Sequence, residues 1–155
     1  MSKRQTHDRG PPPALMRRLL DHQRWLNSDG HFGAQLDKSE LQFDNCHLAG
    51  MNFSRAKLDY AYFSGGSVKG ACFAGALLVQ ATFDGCDVED ADFRNADLGW
   101  ANFLTNHEKA IFEGASLIRT AWNQEQMNQN LLDSGTGPDK PTEKLWPRGN
   151  KLEPR

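Results

Sequence analysis

The amino-acid sequence predicts an all-β solenoid. Three observations carry the prediction. A large apolar residue returns every five positions from Phe43 to Phe103, through Leu48, Phe53, Leu58, Phe63, Val68, Phe73, Leu78, Phe83, Val88, Phe93 and Leu98, thirteen in unbroken register. A small or apolar residue stands two positions before each, as Leu41, Cys46, Met51, Ala56, Ala61, Gly66, Ala71, Ala76, Ala81, Cys86, Ala91, Ala96 and Ala101. Glycine recurs two positions after the large residue, at 50, 65, 70, 75, 85 and 114. A period of five fits neither the helical 3.6 nor the strand period of two. It fits a short extended side, with two inward residues around an outward one, followed by a corner. Glycine at the corner permits the positive φ of a type II turn.

Units such as Ala91-Asp92-Phe93-Arg94-Asn95, Ala96-Asp97-Leu98-Gly99-Trp100 and Ala101-Asn102-Phe103 resemble the A(D/N)LXX repeat of the pentapeptide-repeat proteins. The resemblance implies a right-handed, four-sided β-helix with four pentapeptides per coil, here about four coils over residues 36–123. The leader Leu19-Leu20-Asp21-His22-Gln23-Arg24-Trp25-Leu26, with Gly30 and Gly33 after it, also resembles a segment found before such arrays and implies no activity.

Residues 1–13 are charged and then Pro-rich, and are expected to form a disordered arm. From Ala14 to about Ser28 the pattern turns helical. Leu15, Leu19, His22 and Leu26 share one face, with Met16 and Leu20 beside them, and Gly30 is a stop signal. Residues 14–35 are therefore expected to cap the open first coil, as solenoids require. Within the array Phe takes every second central position and Leu or Val the others, so two opposite sides should carry Phe columns. After Phe103 the next apolar centres are Phe112, Leu117 and Trp122. Counting two sides to Phe112 keeps the phase, so one residue is deleted locally. Residues 105–109 lack an apolar centre and should form an irregular side or a small loop. A short helix is expected over 124–133, through Met127, Leu131 and Leu132, and a disordered tail over 134–155.

Composition narrows the function. The 155 residues carry a net charge of −2, which advertises no affinity for nucleic acid or an anionic membrane. The array holds seven Lys/Arg against twelve Asp/Glu. No apolar run approaches the roughly 20 residues of a membrane span, the start lacks an apolar signal segment, and three cysteines suit a reducing compartment. A cytoplasmic location is expected. No catalytic motif, cofactor fingerprint or metal-ligand spacing is present in the sequence. Cys46 and Cys86 point inward two coils apart, about 9.6 Å, beyond disulfide reach. Cys72 points outward. Among the histidines His107, beside Glu108, is the best candidate for a special role, but a solvated loop histidine is the ordinary expectation there. The acidic run Asp84, Asp87, Glu89, Asp90, Asp92 and Asp97 winds around a coil, so its members face different ways and suit no cation cage.

One side breaks the polar rule. Leu77, Val79 and Ile118 flank its buried centres, and Tyr60 and Trp100 stand in its corner column. A contiguous apolar patch with an aromatic edge suggests a protein interface, unless the chain's own terminal segments cover it. The expected function is a non-enzymatic protein-protein interaction scaffold with a protein partner and no cofactor. A homodimer through the C-terminal end is a further possibility. The resemblance implies an alternative, a DNA-mimicking binder of type II topoisomerase (gyrase) that protects against quinolones.

Overall fold

The computed structural model describes residues 10–37, 41–105 and 107–123. Most of the expected arm, the helix over 124–133 and the tail over 134–155 lie outside them. The array coils with a repeat of twenty residues. Parallel bridges join Asp37 to Lys57, Gln42 to Tyr62, His47 to Ser67 and Asn52 to Cys72, and continue at that offset to Thr82–Asn102. Four five-residue units therefore complete each turn. At most corners the chain closes a type II turn. The N–H of Cys46 donates to the Phe43 carbonyl at 3.1 Å, and Ala56 to Phe53 at 3.0 Å. There the residue two after the centre has positive φ, as Gly50 (70°), Asn45 (55°) and Asp90 (57°) illustrate; Thr105 and Lys109 lack it.

The four sides are defined by their centres. The first carries Phe43, Phe63, Phe83, Phe103 and Trp122. The second carries Leu48, Val68 and Val88, the third Phe53, Phe73, Phe93 and Phe112, and the fourth Leu58, Leu78, Leu98 and Leu117. On the first side the Phe43, Phe63 and Phe83 rings stack in parallel at 4.6 and 4.8 Å, and on the third Phe53, Phe73 and Phe93 do so at 4.8 and 4.9 Å. Between the two sides the rings meet edge to face, as Phe63 and Phe73 do at 5.5 Å and 87°. Both arrangements are favoured by the ring quadrupole. The alternation of Phe with Leu or Val along the chain thus becomes two aromatic columns facing each other.

The deletion falls between Leu104 and His107. The Leu104 carbonyl still accepts from the Gly85 N–H in normal register (3.4 Å). Beyond it, Asp92–Ile111, Asp97–Ser116 and Asn102–Ala121 pair at an offset of nineteen. Phe112 stacks on Phe93 and Trp122 on Phe103, so the sides are preserved. The expected irregularity falls here: among the described residues no bridge continues from Asp87 to the next level, and Lys109 lacks the positive φ of most corners, yet His107 occupies the central position. The Ala110 N–H donates to its carbonyl at 3.1 Å, the same turn bond as elsewhere. Its ring lies 4.5 Å from Trp122, and burial lowers its proton affinity. A polar ring packed as an apolar centre is invisible to a hydrophobicity pattern.

Helix α1 spans Pro13–Asn27, one residue earlier at each end than the periodicity suggests. Pro13 fits because the first helical N–H has no partner to lose. Leu15, Leu19 and His22 are buried, and the two leucines join the same core as the array. Leu20 is exposed. The chain then folds back along α1. The Ala34 N–H donates to the Asp21 carbonyl, and a Cβ on Gly33 would lie 2.2 Å from that oxygen, so only glycine fits there. His22 ties the layers together. The Leu36 N–H donates to Nδ1 at 2.9 Å, which leaves the ring proton on Nε2, 3.0 Å from the Ser54 carbonyl that accepts it.

Candidate functional site

On the fourth side, as on the others, backbone bonds join successive coils. The Leu78 N–H donates to the Asp97 carbonyl and the Leu98 N–H to that of Ser116. Successive residues on a side point alternately in and out. Leu77 and Val79 therefore flank the buried Leu78 and face outward. Leu77 lies in a row between Lys57 and Asp97 and is 40% exposed. Val79 is half-buried, and its N–H is held by Asp59 Oδ1 at 2.9 Å. Ile118, two levels up, is 39% exposed, and Gly99 lies buried between the Val79 and Ile118 levels.

The corner row beside them runs Tyr60, Gln80, Trp100, Arg119. Tyr60 is exposed, while Trp100 is half-buried with the Arg119 guanidinium 4.8 Å over its ring. All four have left-handed backbone, with φ of 62°, 58°, 60° and 54°. Tyr60, Leu77, Val79, Trp100 and Ile118 thus share one side and its edge. The sequence reading missed Tyr62, which is 47% exposed on the first side just around the corner from Tyr60. Its outward position, one before Phe63, was available as a signal. Ile111 and Phe32 are also exposed, on the third side and after α1.

The acidic run is dispersed and largely engaged. Asp87, Asp92 and Asp97, on three different sides, each accept the backbone N–H two residues on, at 3.0, 3.0 and 3.1 Å. Asn52 does the same for Ser54. This is the physical reason for Asp or Asn in the second position of the unit, since the side chain closes an Asx turn. Asp92 also takes Arg94 side-on, and that hydrogen bond is the main cause of its lowered proton affinity. Glu89 sits between Lys109 and Lys69, whose hydrogen bonds bring its pKa down to about 2.

The thiols are separate. Cys46 and Cys86 are buried, and Gly66 lies between their levels. Burial pushes the Cys86 thiol up to about 12, so it is not a nucleophile at neutral pH. Cys72 is half-buried with its sulfur 3.0 Å from Ser54 Oγ. Among the described residues no three His, Cys, Asp or Glu side chains gather where they could hold a metal ion, and no helix is long and apolar enough to cross a membrane.

Residues 37–111 match the family model described as pentapeptide repeat region. With the twenty-residue coil and the type II corners, this makes the chain a member of the pentapeptide-repeat family. Solved structures similar to it include HetL from the cyanobacterium Nostoc sp. strain PCC 7120, a pentapeptide-repeat protein involved in heterocyst differentiation regulation. That likeness has 24% identity over 56% of this chain and 45% of HetL, with a TM-score of 0.41. The chain thus spans less than half the length of HetL. A second, alr5209 from Nostoc PCC 7120, is 19% identical over 68% of this chain and 72% of its own, with a TM-score of 0.31. QnrB1, a plasmid-mediated fluoroquinolone resistance protein, is 17% identical over 57% and 75%, with a TM-score of 0.24. Likeness at this level carries nothing about role or partner. A comparison with curated protein sequences finds no match.

Proposed function

We propose that the chain is a non-enzymatic interaction scaffold, a right-handed β-helix of about four coils whose fourth side receives a protein partner. In this reading residues 14–35 cap the first coil, the array spans 36–123, and the protein works in the cytoplasm. The observation that carries the proposal is the corner row Tyr60, Gln80, Trp100, Arg119. Left-handed backbone costs an ordinary residue about 1–2 kcal/mol. The other corner rows mostly meet that cost with Gly50, Gly65, Gly70, Gly75, Gly85 and Gly114, or with Asn45, Asp90 and Asn95. Arg55 is the exception among them, and among the described residues only the Tyr60 row has a bulky or long residue with positive φ at all four levels, where it borders the exposed apolar residues. Strain kept at every level of one edge is a mark of recognition rather than folding. The double variant Leu77→Asp, Val79→Asp should lose partner capture or self-association while keeping the melting temperature. Unchanged capture and sedimentation would remove the interface.

The alternative, a DNA-mimicking binder of gyrase, draws on the array's excess of five carboxylates, twelve against seven. Lys69, Lys109 and Arg94 offset part of that excess locally. A supercoiling assay with neither inhibition nor protection would eliminate it. Pairing of two chains through the C-terminal end is tested by the sedimentation run on the unmodified chain.

A further inference from the structure

We propose that His22 is a pH-sensitive latch that holds α1 and residues 28–37 on the first coil and releases them in mild acid. The ring is fully buried and its two nitrogens have opposite duties. Nδ1 accepts the Leu36 N–H, and Nε2–H donates to the Ser54 carbonyl. These two bonds join three separate parts of the molecule: α1, the segment that folds back along it, and a corner of the array. Only the neutral ring can make both. A second proton would sit on Nδ1, against the Leu36 N–H, and would cost both the bond and the burial of a charge.

The surroundings oppose that proton. His22 stacks on Trp25 at 5.7 Å, and the Arg55 guanidinium lies 4.7 Å over the Trp25 ring. The nearby carboxylates are committed to cations, Asp29 to Arg55, Asp21 to Arg24 and Asp37 to Lys57. Among the described residues, the charged group acting on the ring is Arg55, and it too disfavours protonation. Burial, the larger cause, lowers the proton affinity of His22, although its bond to the Ser54 carbonyl works the other way.

The sign follows. The folded ring binds its proton less readily than the unfolded reference near pH 6.5. The latch is therefore fully closed above that value. It weakens as pH falls from there through the folded value, by up to about tenfold in the opening equilibrium per pH unit. What opens is the contact that buries Leu15 and Leu19. The array behind it is held by its own Phe columns.

The experiment is hydrogen exchange of the full chain between pH 7.5 and 5, corrected for the intrinsic rate. Residues 13–37 should lose protection by up to about tenfold per unit below pH 6.5, while residues 61–101 keep theirs. His22→Gln, whose amide offers one acceptor and one donor without titrating, should flatten the pH response. Constant protection of 13–37 in the unmodified chain would overturn the proposal, as would a His22→Gln response parallel to it. If His22→Gln does not fold, ring NMR of the unmodified chain decides. A neutral Nε2–H ring at pH 7 that titrates together with the loss of protection upholds the latch. A ring that titrates without any loss of protection overturns it.

Discussion

Gly66→Ala separates the geometry of this array from the rule its sequence follows. Alanine is the commonest residue in that position of the unit, as Ala61, Ala71 and Ala76 show. By the repeat pattern the change should be harmless, and by chain entropy it should stabilise by about 0.4–1 kcal/mol. The structure says otherwise. A Cβ at Gly66 would lie 2.3 Å from the Cys46 carbonyl oxygen and 2.9 Å from its nitrogen, both backbone atoms of the coil below. Neither can rotate away, so the backbone of the second side must shift. That strains the Ser67 N–H to Cys46 bond and the Asp87 N–H to Gly66 bond, each 3.0 Å. Overpacking of this kind costs about 1–3 kcal/mol, and two weakened hydrogen bonds add about 1 kcal/mol each. After the entropy gain the variant should be less stable by about 2–4 kcal/mol. Urea unfolding of the full chain measures it. A midpoint equal to or above that of the unmodified protein would refute the reasoning.

Three further outcomes follow from the same structure. Phe73→Ala empties a fully buried position between the stacked Phe53 and Phe93 rings and should cost about 3–5 kcal/mol in the same unfolding assay. Gln80→Gly relieves left-handed backbone at an exposed corner and should raise the unfolding midpoint, the gain being about 1 kcal/mol after the entropy of glycine is subtracted. Glu89 contributes stability that is complete above its ordinary value near 4.5 and is lost as pH falls toward about 2, because Lys109 and Lys69 hold its charged form. Glu89→Gln should therefore flatten that part of an acid-unfolding profile, and added salt should shrink the difference between the two proteins.

Much of this fold is legible in the sequence because each unit repeats one physical solution. The Phe and Leu centres, the small residues before them and the corner glycines all report where a side chain points relative to a short extended stretch. The offset of nineteen after Phe103 is legible for the same reason, since Phe112, Leu117 and Trp122 keep the order of the sides. His107 is not, because a half-buried imidazole fills an apolar slot without apolar composition. The role of Gly66 is hidden too. In a one-dimensional pattern it is one more small residue, and only the Cys46 backbone across the coil makes it obligatory. For the candidate face, outward Leu77, Val79 and Ile118 can be read from the period alone. The strain under Tyr60, Gln80, Trp100 and Arg119 needs backbone angles. The outward position of Tyr62 can be read from the period, but its closeness to Tyr60 around the corner needs the folded chain.

The fourth side is proposed to meet a partner protein. Site-specific photocrosslinking in the native cell tests this directly. A photoreactive residue at Leu77 lies on that side, and one at Ala74, half-buried on the third side, serves as the control. A partner on the fourth side should give a discrete crosslinked protein from position 77 and none from position 74. Equal yields from both positions, or no crosslink at 77 in cells that hold the partner, would contradict it.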